Sequence, residues 1–450
     1  MRKLMFLIAG LVVAAGAVIL LARTSRSEWT STSPAAVEAF EAAQAARMKL
    51  YQAEAEKYLR RALELDPGFV AAKVVSFYFL DDKGREALVQ ELKGVDLSKL
   101  TDRERFLVEY LVARKEQRPE EADAILARFV ERHPKDPYGL AMEAAMAWDN
   151  RDWDRAAGYY ARLLDANPNW VVAQNHLGYI AMAQGRFEAA EELFKTYAYI
   201  APDQANPHDS MGELLTLLGR YDEARAELEK ALEIKPDFCA SYKHLADILV
   251  MQGENQDASD ILSAAAANCD PKFVANLRCE QQLWQEFLAG NFEAPWRPEN
   301  ASCVERMGPG SFLIHRMASL TGRRDEALAI EAAVAAEVEK KVGPMGAYGR
   351  KDVEAMLHHM RGVRLLGSGD PAAAASEFEA ADKLLVYWGD GQGTLKLFNR
   401  LNLASALESS GDAAASQQLV AAVAGVNRSF AEVYPAIRES LAGPAGQPAR

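Results

Sequence analysis

Apolar positions recur at helical spacing along almost the whole chain, and the helical stretches come in pairs separated by turn residues. The clearest run reads Gly178, Gly185-Arg186-Phe187, Ala190, Phe194, Pro202. The next reads Gly212, Gly219-Arg220-Tyr221, Ala224, Leu228, Pro236. Every shared landmark is displaced by 34 residues. That ruler places unit starts at Arg103, Pro137, Val171, Ala205 and Cys239, with exit prolines at Pro134, Pro168, Pro202 and Pro236, and at Pro271 after a one-residue slip. An earlier unit starts at Ala36, and Val70 to Leu100 reads as a degenerate unit with a short second helix around Arg85 to Lys93. Small residues at the crossing positions predict close helix approach, and glycine between the paired helices suits a turn with positive φ. Each pair leaves an apolar face uncovered, so the pairs must stack.

The pattern breaks after residue 272. A helix is expected from Lys272 to Ala289, then a loop from Gly290 to Gly310, where proline and glycine cluster. Paired helices resume over 311–341, 355–385 and 397–426, and the tail 442–450 is expected to fray. The predicted organisation is 4–22 as an apolar segment, 23–35 as a linker, 36–272 as a first array, 273–310 as an irregular helix and loop, 311–441 as a second array, and 442–450 as a tail.

These landmarks identify the chain as resembling a bacterial tetratricopeptide repeat protein over about nine-tenths of its length. Asn175-His176-Leu177-Gly178-Tyr179 and Pro207-His208-Asp209-Ser210-Met211-Gly212 are similar to arrays fused to bacterial serine/threonine kinases and membrane-bound regulators. The kinase signature set is missing, so the resemblance implies a fold and a docking surface, not kinase activity. The implied fold is all-α, a right-handed solenoid of stacked antiparallel helix pairs. In the family the first helix of each pair lines a concave groove. Carried over, that groove would present Tyr138, Trp148, Asn175, Tyr179, Asn206, Asp209, Glu213, Lys243 and Asp247. The carboxylate-clamp subgroup pairs Lys at the fifth position with Asn at the ninth, and no repeat here has both. Asp209 and Glu213 would repel a carboxylate, which points to a protein or peptide partner with a neutral or basic contact segment.

Leu4 to Ala22 is 19 uncharged, mostly apolar residues, about 28 Å as a helix, close to the thickness of a bilayer core. Arg2 and Lys3 precede it, and Arg23 and Arg26 follow. An uncleaved anchor and a cleaved signal peptide both fit. The favoured expectation is a single-pass inner-membrane protein whose body lies outside the cytoplasm, with the opposite orientation open. Charge is 51 basic against 64 acidic, a net of −13, and the first 26 residues hold four of the bases and no acid. An acidic body without a basic stripe argues against nucleic-acid binding.

Catalytic chemistry is hard to find in the sequence. The seven histidines show no paired ligand spacing, so neither a metal nor a cofactor is expected. Gly389 to Thr394 is glycine-rich but has no preceding strand and no Lys-Ser/Thr, and it reads as a linker. The cysteines, Cys239, Cys269, Cys279 and Cys303, form no Cys-x-x-Cys pair. Antiparallel geometry allows Cys239–Cys269 and Cys279–Cys303 bridges in an oxidising compartment, and four buried thiols are the other reading. Two function classes follow. The first is a non-catalytic anchored scaffold that gathers partners in its groove. The second is a signal-responsive regulator of a partner enzyme. An enzyme site, if one exists, would sit in 273–354.

Overall fold

The computed structural model describes residues 28–168, 170–308, 310–340, 346–388 and 391–432. Those residues are helical, with no strand among them. They divide into two compact units: 28–47 with 51–132, and 48–50 with 133–432.

The first unit contains α1 (Pro34–Met48), α2 (Gln52–Leu65), α3 (Val70–Ser76), α4 (Asp82–Lys93), α5 (Asp102–Lys115) and α6 (Pro119–Arg132). Trp29 closes it at the N-terminal end, its ring edge-on to Phe40 at 4.9 Å, with Phe40 tilted against Phe69 at 5.0 Å. The fully buried Glu104 closes a capping box with Thr101 at the start of α5 and also accepts from the Thr30 N–H at 3.0 Å.

The second unit carries four regular pairs. They are α7 (Pro137–Asp149) with α8 (Trp153–Ala166), α9 (Val172–Ala183) with α10 (Phe187–Ile200), α11 (Asn206–Leu217) with α12 (Tyr221–Ile234), and α13 (Cys239–Gln252) with α14 (Asn255–Asn268). Their starts are set by local chemistry. Asp136 accepts from the N–H groups of Tyr138 and Gly139 at 2.9 and 3.1 Å, with Pro137 at the first helical position. Inside each pair the small residue is obligatory. A Cβ built on Gly178 would stand 2.4 Å from the Phe194 ring, and one on Gly212 would stand 2.5 Å from Leu228 Cγ. The linking turns at Gly185 and Gly219 have φ of +73° and +72°.

After these pairs come α15 (Pro271–Leu288), α16 (Ala301–Met307), α17 (Phe312–Leu320), α18 (Arg324–Lys340), α19 (Gly346–Gly367), α20 (Pro371–Leu384), α21 (Gln392–Ser409), α22 (Ala413–Val426) and α23 (Arg428–Glu432). The stretch 290–310, expected as a loop, holds two single 3-10 turns and the helix α16. Cys279 is bonded to Cys303, with Cα atoms 5.0 Å apart, which ties α16 to α15. Cys239 is bonded to Cys269, with Cα atoms 5.9 Å apart, across the open end of the α13–α14 pair.

The expected inner-membrane placement is corrected here. Among the described residues no helix is long and apolar enough to cross a membrane. The apolar segment 4–22, like the tail 442–450, lies outside the described residues. The placement therefore has no structural support and is dropped.

Candidate functional site

The first helices α9, α11 and α13 lie side by side, and α15 stands where a further first helix would come. The candidate groove residues meet across these helices. The Tyr179 hydroxyl donates to the Glu213 carboxylate, and its oxygen accepts from Ser210 Oγ at 3.1 Å. Asp209 Oδ1 accepts from Ser241 Oγ at 2.6 Å and bonds His244 Nδ1 at 3.1 Å. Asp247 accepts from Gln281 Nε2 at 2.5 Å and from Lys243 Nζ at 2.9 Å. Partners on adjacent helices are 31 to 35 residues apart in sequence, one repeat length. The polar positions thus form a hydrogen-bonded ladder that sets the register between neighbouring pairs.

Burial shapes its electrostatics. Asp209 and His244 are 4% and 8% exposed. The Tyr179 phenol is pushed well above its ordinary pKa, first by burial and then by the Glu213 and Asp209 carboxylates. Asp209, Glu213 and His244 each offer a ligand atom, all within 4.8 Å of one another. Two carboxylates and an imidazole suit a divalent transition metal. The same atoms are already committed to Ser241, Tyr179 and each other, so the ladder is satisfied without an ion.

The remaining candidates have separate tasks. Asn206 Nδ2 donates to the Tyr197 hydroxyl at 3.3 Å, in the joint before α11. Tyr138 meets Trp170 edge-on at 5.9 Å. Asn175 is 5% exposed and its Oδ1 makes no hydrogen bond. Trp148 is 8% exposed, packed edge-on to Trp153 at 5.4 Å and His176 at 5.6 Å.

Sequence reasoning missed what covers this face. Trp388, in the segment between α20 and α21, lies edge-on to Trp148 at 4.8 Å and to Tyr179 at 5.6 Å. Tyr387 stands against Phe187 at 5.3 Å. Leu397, Phe398 and Leu401 of α21 join Met211, Leu214, Leu245 and Ile248 in one apolar cluster. A Cβ on Gly393 would reach within 2.9 Å of Leu217. The C-terminal pairs therefore occupy the face expected to be open. No local signal marks Trp388; of the missed ladder members, Ser210 and His244 stand 34 residues apart, whereas Ser241 lies 32 from its partner Asp209. Pro137 to Arg155 is also clamped, because Arg151 donates to the Leu384 carbonyl and pairs with Asp352.

Tetratricopeptide repeat family models match residues 111–169, 141–205 and 215–268. Residues 111–205 and 215–268 of this chain are thus built from tetratricopeptide repeats. No curated protein matches it. Among solved structures it is similar to a chain of the Cut9–Hcn1 hetero-tetramer of the APC/C, at 15% identity over 98% of this chain and 80% of that one, TM-score 0.48. It is also similar to MamA from Desulfovibrio magneticus RS-1, at 17% identity over 37% of this chain and 94% of that one, TM-score 0.32. A third is YrrB, described as a TPR protein with an unusual peptide-binding site, at 14% identity over 42% and 95%, TM-score 0.30.

Proposed function

We propose that this chain is a non-catalytic interaction scaffold whose repeat face is held closed by its own C-terminal pairs. Its partner is a protein or peptide with a neutral or basic contact segment that displaces Trp388. One observation supports the reading: Trp388 rests on Trp148 and Tyr179, two residues that the resemblance assigns to the docking groove. An indole held at 4.8 and 5.6 Å from two aromatic rings mimics the contact that a partner's side chain would make there. The acidic ladder beside it favours donors over carboxylates.

This arrangement also gives weight to the regulator reading, since anything that loosens 385–401 would expose the face. A catalytic reading of 273–354 has less to stand on. Cys279 and Cys303 are joined to each other, and His315 is engaged with Glu331 at 3.1 Å.

The test is a photo-reactive residue at Tyr179 in the otherwise native chain, and again with Trp388→Ala. The native chain is expected to crosslink to its own 385–391 segment. The variant is expected to lose that product and to gain intermolecular adducts with one dominant protein. Equal adduct patterns in both, with no internal product, would defeat the closed-face reading. An internal product without any partner adduct in the variant would defeat the scaffold reading.

A further inference from the structure

We propose that Arg316, at the junction of α15, α17 and α21, anchors a binding site for a small carboxylate. The proposal does not use the partner of the repeat face, although Phe398 on α21 belongs both to this site and to the cover of that face.

Arg316 is 1% exposed, and its Nε, Nη1 and Nη2 make no hydrogen bond. A guanidinium carries five N–H donors in a planar fork and stays charged in proteins. Leaving it buried and unpaired is strongly unfavourable, so such a group is kept where something completes it. Among the described residues the guanidinium meets aromatic faces: its carbon lies 5.5 Å from the Phe287 ring centre and 5.7 Å from that of Phe398. Burial alone holds the guanidinium down to about 9, with no acidic group acting against it.

The nearby acid is already spent. Glu331 accepts from His315 Nε2 at 3.1 Å and from Arg364 Nε at 2.7 Å. His359 is also fixed: the Asn399 amide donates to the Phe378 carbonyl at 2.8 Å, so its oxygen accepts from His359 Nδ1–H at 2.9 Å. That leaves His359 Nε2 without a proton and without a partner. Burial, with Arg316 nearby adding to it, depresses the His359 pKa, which keeps the ring neutral and the guanidinium as the charge to be met.

Geometry selects the ligand class. A single guanidinium balances a single negative charge, whereas phosphate would bring an excess of charge into a buried place. A carboxylate is planar, carries one charge and pairs bidentately with the fork. The surroundings are apolar: Leu313, Met317 and Phe287 belong to one apolar cluster and Phe398 to another, so the body of the ligand would be short and apolar.

Thermal unfolding of the full chain in sodium acetate, against sodium chloride at equal ionic strength, tests this. A saturable rise of Tm in acetate, absent in Arg316→Met and at least tenfold weaker in Arg316→Lys, is the expected result. A Tm that follows ionic strength alone, or an equal response in Arg316→Met, overturns the site. A saturable response to inorganic phosphate but not to acetate overturns the carboxylate assignment. A measurement without variants is a crystal of the native chain soaked in bromoacetate. A bromine anomalous peak beside Phe287 and Phe398 is expected, and its absence there overturns the proposal even if Arg316→Met does not fold.

Discussion

Single residues in this chain carry large consequences because helices approach without slack. Gly212 faces Leu228 so closely that any Cβ would overlap it. Gly212→Val is therefore expected to cost about 3 kcal/mol, since neither helix backbone can withdraw without breaking the ladder. Denaturant midpoints of variant and native chains check this, and a change within about 0.5 kcal/mol would remove the close-packing argument. His359 gives a pH signature. Burial pushes its pKa down to about 3, with Arg316 adding to the effect. The unfolded ring titrates near 6.5, so between these values the unfolded chain binds the extra proton. Its contribution to stability is complete above about pH 6.5 and falls as pH drops, by roughly 1.4 kcal/mol per unit. His359→Phe should flatten the stability–pH slope by about one proton between pH 6 and 4. An unchanged slope would mean the ring is protonated in the folded state.

At the scale of helix pairs, one backbone position recurs. Residues 117, 151, 185, 219 and 253 stand one repeat length apart and all have positive φ, from 58° at Gln117 to 79° at Gly253. Glycine takes this conformation freely, while a side chain is strained there. Gln117 is exposed, so Gln117→Gly is expected to stabilise the chain by about 0.5 kcal/mol. Arg151→Gly should do the opposite, losing about 2 kcal/mol, because its guanidinium holds Leu384 and Asp352. Thermal unfolding of the two variants settles the contrast; a shift of the same sign in both would show that backbone strain is not the deciding quantity. The bridges Cys239–Cys269 and Cys279–Cys303 close spans of 30 and 24 residues, and each is expected to contribute about 3 kcal/mol. Reductant should lower Tm, and denatured unreduced protein should show no free thiol at these four positions. The pairs were legible in the sequence because their determinants are local: Gly178 with Phe194, Asp136 before Pro137, and glycine at 185 and 219. The ladder followed the ruler only in part: Tyr179 with Glu213 and Asp247 with Gln281 stand 34 residues apart. Trp388, Arg316 and His359 were not legible, because their partners lie on elements whose separation obeys no period.

Over the whole second unit, these aperiodic contacts change how the repeats behave together. An open array couples each pair only to its neighbours, so its ends unfold separately from its middle. Here one apolar cluster runs from Ala181 through Leu214 and Ile248 to Leu401 and Phe430. Helices more than 150 residues apart therefore share a core, and loss of α21 strips cover from α9, α11 and α13. Leu401 is fully buried in that cluster. Leu401→Ala is expected to cost about 3 kcal/mol. In an open array that loss would appear only near α21. In the closed unit it should appear as faster amide exchange in α11 and α13 as well as α21, with one common denaturant midpoint for all three. The decisive comparison pairs Leu401→Ala with Leu262→Ala, which lies on α14 in a separate cluster with Ala246 and Leu277. Only the former should raise exchange together on both sides of the covered face. If Leu401→Ala loosens α21 while α11 and α13 keep native protection, the cover is a passive neighbour, and closure cannot be what governs access to Tyr179.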